Sequence, residues 1–81
     1  MVENSKFDDI AKGEVVVTLD IMLARRKVKS KELAAYVGIT EANLSQLKSG
    51  KVKGVRFETL ARICEYLNCK PGDILDFEIE G

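Results

Sequence analysis

The sequence predicts an all-α domain of five short helices with a short β-strand at each end, the two strands expected to pair. Three observations carry that expectation. Apolar residues recur at three- and four-residue steps, as in Leu33 with Val37, Leu44 with Leu47, and Leu60, Ile63, Cys64 and Leu67. Gly38, Gly50, Gly54 and the pair Pro71-Gly72 punctuate these runs. Two extended runs, Glu14–Thr18 (EVVVT) and Asp76–Glu80 (DFEIE), flank the helical part. With 81 residues the chain is one domain. Residues 1–13 read as a flexible tail and residues 14–81 as the folded unit.

The tail lacks a sustained apolar period, although Phe7 and Ile10 suggest a local turn. Three successive valines then favour an extended backbone. A lone strand leaves its amides and carbonyls unpaired, so Glu14–Thr18 needs a partner. Asp76–Glu80 supplies one, because Phe77 and Ile79 alternate with acids at the period of a half-buried strand. Pairing within one chain and pairing across a dimer are both open. Leu19–Val28 reads as the first helix, with Leu19, Met22 and Leu23 on one side, Asp20 at its N-terminal turn, and Arg25, Arg26 and Lys27 at its C-terminal end. Ser30 is expected to cap the second helix, with Glu32 favouring its dipole. The third runs from about Glu41 to Lys48 and closes at Gly50. The fourth runs from about Arg56 to Leu67, with Phe57, Leu60, Ala61, Ile63, Cys64 and Leu67 as a broad apolar stripe. Pro71 fits a first helical position, and Asp73–Leu75 makes the short fifth turn.

Ser30–Leu47 (SKELAAYVGITEANLSQL) organises the rest. Gly38 can end a helix in the left-handed conformation, and Thr40 can then cap the next one. Ala34 is small enough for the following helix to cross close above it. Two short helices joined by such a turn make a helix-turn-helix. Leu33-Ala34, Val37-Gly38-Ile39, Leu44 and Leu47 resemble the helix-turn-helix of the Cro and phage-repressor family. Lys48-Ser49-Gly50-Lys51 is similar to that family's usual end to the recognition helix. Leu67-Asn68-Cys69-Lys70-Pro71-Gly72-Asp73-Ile74-Leu75 resembles a subgroup of small bacterial regulators of this type. The likeness runs from about Leu19 to about Leu75. It implies a lambda-repressor-like fold and transcription regulation through double-stranded DNA. It also implies base contacts near Glu41, Ala42 and Gln46, and backbone contacts near Ser30, Asn43, Lys51, Lys53 and Arg56.

The residues themselves support that reading. The formal charge is zero, with thirteen basic and thirteen acidic residues, yet their placement is uneven. From Arg25 to Arg62 there are ten Lys or Arg against three acids, whereas the flanks carry three against ten. A basic middle can face phosphate although the whole chain is neutral. A recognition helix places its N-terminal side chains against base edges in the major groove. With Leu44 and Leu47 inward, the outward set is Glu41, Ala42, Asn43, Ser45 and Gln46, with Lys48 further along. Gln46 can bond adenine twice, and Ala42 can meet a thymine methyl. Asn43 can bond a base or a phosphate. Glu41 can accept from a cytosine amine or simply serve the helix dipole. Ser30, Lys31, Ser45, Lys51, Lys53 and Arg56 are the candidates for the sugar-phosphate backbone, Ser30 at a helix start whose free amides suit an anion. This helix offers no Arg for guanine and opens with an acid. One copy therefore has modest affinity, which favours a homodimer built through the terminal strands.

Other classes are weighed against this. A toxin-pair antitoxin or another protein-interaction module, with the acidic termini binding a partner, is the alternative. An enzyme is not expected: the chain has no His, no nucleophile beside a base, and no Gly-rich phosphate loop. Cys64 and Cys69, five apart and without His, do not make a zinc site, and read as thiols of a reducing cytoplasm. No cofactor, metal, small-molecule ligand or membrane is expected, because no run spans a bilayer and no basic leader precedes an apolar stretch.

Overall fold

The computed structural model describes residues 13–79. In chain order come β1 (Gly13–Val17), α1 (Leu19–Arg26), α2 (Ser30–Val37), α3 (Glu41–Lys48), α4 (Phe57–Leu67), a 3-10 turn (Pro71–Asp73) and β2 (Leu75–Ile79). The five-helix expectation is therefore corrected to four α-helices and a two-stranded antiparallel sheet. The segment read as a fifth helix cannot extend. Pro71 opens the turn, the Lys70 amide donates to Asp73 Oδ2 at 2.9 Å, and the chain must straighten at Leu75 to meet β1. Gly13, assigned to the tail, opens β1. The rest of the tail, the turn expected around Phe7 and Ile10, and Glu80 lie outside the described residues.

The strands pair within one chain, with Gly13 opposite Ile79, Val15 opposite Phe77 and Val17 opposite Leu75. Alternation along each strand then divides the ribbon into two faces. Val15, Val17, Leu75, Phe77 and Ile79 share one; Glu14, Val16, Asp76 and Glu78 share the other. Val17 and Leu75 pack against the core. At the ribbon's base the Thr18 amide donates to the Ile74 carbonyl at 2.8 Å, and Thr18 Oγ1 donates to the Asp73 carbonyl at 3.1 Å. A Cβ at Gly13 would meet the Phe77 ring, whose exposed end would have to swing aside.

The core gathers Leu19, Met22 and Leu23 of α1, Leu33, Ala34 and Val37 of α2, Leu44 and Leu47 of α3, Ile63 and Leu67 of α4, and Ile74. Leu33, Leu44 and Ile63 are fully shielded from water. Removing each such side chain from solvent contributes about 1.5–3 kcal/mol at most. The α4 stripe is narrower than the sequence suggested. Leu60 and Cys64 are half-buried and Ala61 is exposed. Phe57, in the first turn of α4, reaches past the core and is 87% exposed.

Long-range side-chain bonds hold the helices in place. Arg26 was expected to serve the end of its own helix. Instead its Nε donates to the Leu67 carbonyl at 2.7 Å and its Nη2 to the Asn68 carbonyl at 3.1 Å, so it caps α4. Tyr36 and Tyr66 stack with ring centroids 4.7 Å apart. Tyr36 Oη donates to Glu65 Oε1 at 2.8 Å, and Tyr66 Oη donates to Glu32 Oε2 at 3.1 Å, which fastens α2 to α4. These bonds hold both phenols protonated above their ordinary range. The Lys29 amide, then the Tyr66 hydroxyl, pull the Glu32 carboxyl below its usual value. Cys64 and Cys69 are free and half-buried, and burial pushes the Cys69 thiol up.

Candidate nucleic-acid interface

The geometry of the site follows from the turn between α2 and α3. Gly38 takes φ 88°, its amide donates to the Ala34 carbonyl at 2.8 Å, and α2 ends there. Thr40 then caps α3: its Oγ1 accepts from the Asn43 amide at 3.0 Å. Leu44 and Leu47 point into the core, which fixes the rotation of α3. The opposite side of α3 carries Glu41, Ala42, Asn43, Ser45 and Gln46, all exposed. Ala42 and Gln46 stand four residues apart on one face, and Asn43 and Gln46 three apart. Among the described residues no hydrogen bond occupies the side-chain amide of Asn43 or Gln46.

The flanks of α3 are built from other elements. Asn43, Arg56 and Thr59 line one shallow cleft between the N-terminal half of α3 and the start of α4. At the other end Ser30 meets Lys48, whose Nζ donates to Ser30 Oγ at 2.8 Å. Lys31, Lys51, Lys53 and Arg56 are all exposed. The Lys51 amide donates to the Gln46 carbonyl at 3.0 Å, so the basic loop starts directly from the exposed helix. Thus the structure puts Asn43 and Arg56 on one cleft and brings Ser30 to the end of α3. Lys53 lines a second groove, one shared with the ribbon.

Three local expectations change. Ser30 is not the N-cap of α2 but its first residue; Lys29 is the cap, and Glu32 Oε1 accepts from the Lys29 amide at 3.0 Å. A lysine ammonium has no lone pair with which to cap in return. Lys48 turns away from the outward set: besides Ser30 it meets Asp20 Oδ1 at 3.3 Å, and its side chain is 22% exposed. It ties α3 to both preceding helices. The charge pattern held that signal, since Asp20 is the acid of the first turn of α1, but their spacing in sequence gave no reason to join them. Finally, Gly54 was read as a turn glycine, yet only Gly38 and Gly50 among the described glycines have positive φ.

Comparison with known proteins agrees with this geometry. A family model for the Cro/C1-type HTH DNA-binding domain matches residues 18–80. The chain belongs to that family. It is a DNA-binding regulator of the Cro/C1 type. A relative, the uncharacterized HTH-type transcriptional regulator YozG of Bacillus subtilis (strain 168), is 52% identical over 63 residues, covering 78% of this chain and 75% of YozG. The crystal structure of the transcriptional regulator VanUg is similar at 36% identity and a TM-score of 0.67, over 85% of this chain and 91% of that one. A proposed DNA-binding protein of Bacteroides fragilis matches with a TM-score of 0.70 and 22% identity, over 78% of this chain and 100% of that one, a likeness of fold. Among the described residues no helix is long and apolar enough to cross a membrane.

Proposed function

We propose that the chain regulates transcription in a bacterial cytoplasm by laying α3 in the major groove of a specific DNA site. Glu41, Ala42, Asn43 and Gln46 read base edges, and Ser30, Lys31, Ser45, Lys51, Lys53 and Arg56 hold the backbone. The observation that carries this reading is the exposed, largely uncharged side of α3, with Asn43 and Arg56 lining one cleft at one end and Ser30 at the other. Uncharged side chains suit base edges, whereas the surrounding cations suit phosphates. Lys48 braces α3 rather than contacting DNA. The functional unit is a homodimer that reads two half-sites about one helical turn apart. No catalysis is part of this activity.

The test is selection of bound sequences from random DNA, followed by anisotropy titrations on the selected site. Gln46→Ala weakens the selected site and leaves random DNA unaffected. Lys51→Gln with Lys53→Gln weakens all sequences alike and lowers the salt slope by roughly two charges. Variants that change neither the specific affinity nor the slope would refute the assigned face.

A further inference from the structure

The C-terminal ends of α1, α2 and α4 close in the same way. Each turns through a left-handed residue, Lys27, Gly38 or Asn68, and the next amide donates back to a carbonyl five positions earlier. The Val28 amide reaches the Leu23 carbonyl at 3.0 Å, Ile39 reaches Ala34 at 3.1 Å, and Cys69 reaches Cys64 at 3.0 Å. Such a closure sets the side chains of the two joined residues against each other. At α1 and α2 those side chains are apolar and pack on the core. At α4 they are two thiols, both free and half-buried. Burial first, then Cys64, raises the Cys69 thiol, so the two sulfurs act on each other directly. The backbone between them is held from outside, because Arg26 of α1 donates to the Leu67 and Asn68 carbonyls. Apolar pairs fill the same contact at α1 and α2, so packing alone does not call for sulfur; what cysteine adds is its reactivity.

We propose that Cys64 and Cys69 form a redox site, closing to an intrachain disulfide by exchange with a low-molecular-weight disulfide such as oxidised glutathione. One cysteine thiolate attacks a sulfur of the small disulfide, displaces one small thiolate and leaves a mixed disulfide. The other cysteine thiolate attacks the protein sulfur of that bond and displaces the second. The two cysteines are oxidised, the small disulfide is reduced to two thiols, and the cysteine protons pass to them. The first attack is slow, because both sulfurs are half-buried and Cys69 is held protonated. The second is fast, because the end of α4 already holds the sulfurs together. Closure ties α4 to the residue that leads into the Pro71 turn, and so fixes the carbonyls that Arg26 reaches. When small thiols prevail, the reverse exchange reopens the bond.

The test equilibrates the full chain in mixtures of reduced and oxidised glutathione, with and without denaturing urea. Acid quenching, alkylation of the remaining thiols and mass spectrometry then count open, mixed and closed chains. The equilibrium constant for closure is at least tenfold larger in the folded chain than in urea, because folding has already brought the sulfurs together. The thermodynamic cycle requires the closed chain to be the more stable by the same factor, a rise in Tm of roughly 5–11 °C for a tenfold preference. Cys64→Ala and Cys69→Ala each stop at the mixed disulfide. The comparison of folded with unfolded chain uses no substitution, so it decides the matter even where an alanine variant fails to fold. A preference below tenfold, a bond that forms only between chains, or a closed chain that melts no higher than the open one would overturn the proposal. DNA affinity enters none of these readouts.

Discussion

Replacing Lys48 with Met separates a brace from a phosphate contact. Lys48 Nζ donates to Ser30 Oγ at 2.8 Å and meets Asp20 Oδ1 at 3.3 Å. Methionine keeps the apolar stem packed and removes only the ammonium. A charge-assisted hydrogen bond contributes about 1.5–3 kcal/mol when shielded. The Lys48 side chain is 22% exposed and the Asp20 side chain 69%, so solvent reduces the bond to roughly 1 kcal/mol, the ion pair adds about 0.5 kcal/mol, and the total falls near 1–2 kcal/mol. At roughly 4–8 °C per kcal/mol for a domain of this size, Lys48→Met lowers Tm by about 4–16 °C. A double-mutant cycle with Asp20→Asn, read by urea unfolding, gives a coupling of about 0.5 kcal/mol. The salt dependence of DNA binding stays unchanged, because no phosphate contact is lost. An unaltered Tm together with a slope lowered by about one charge would show that Lys48 faces the duplex, and the reasoning would fail.

Gly38→Ala costs about 1 kcal/mol in unfolding experiments, because Gly38 has φ 88°, whereas Gly54→Ala is neutral or slightly stabilising, since Gly54 has no positive φ and open space around it. Thr40→Ala removes the cap on α3 and costs about 1 kcal/mol, which chemical denaturation measures; Thr40→Ser restores most of it. Glu32 titrates below its ordinary value of 4.5 in the folded chain, so it stabilises above that value, and the contribution disappears as pH falls through the lowered value. Glu32→Gln therefore flattens the acid limb of a Tm–pH curve. Tyr36 and Tyr66 titrate above 10.0 in the folded chain. Their contribution is complete below that pH and is lost as pH rises through the higher folded values, which absorbance at the tyrosinate band follows.

What the sequence revealed was mostly local. Leu33, Val37, Leu44 and Leu47 fix the two central helices by spacing alone, and Gly38 and Thr40 mark the joint between them by backbone and capping chemistry. The alternation of Phe77 and Ile79 with acids, opposite three valines, was enough to pair the chain's two extended runs. What stayed hidden depends on side chains that meet across long separations. Arg26 reaches the end of α4, Lys48 reaches Ser30 and Asp20, and Tyr66 reaches Glu32, and none of these leaves a periodic trace. Phe57 misled because periodicity cannot tell that a first turn projects beyond its core. The fifth helix misled for the opposite reason: Pro71 is a good start, but three residues cannot propagate before β2 begins. At the interface, exposure along α3 followed from its inward leucines, while the cleft that Asn43 and Arg56 share needed the folded chain.

The ribbon fastens to the helices through Thr18 and residues 73 and 74, and the Thr18–Asp73 bond closes a separation of fifty-five positions. Closing so long a loop costs entropy that the short-range contacts of α2 and α3 do not incur. The helical part can thus assemble while the ends are still unzipped, and reopen them without melting. Amide exchange in β1 and β2 would then outpace that of α2 and α3, and the surface offered by Phe77 and Ile79 would come and go on its own clock while α3 stays poised for DNA.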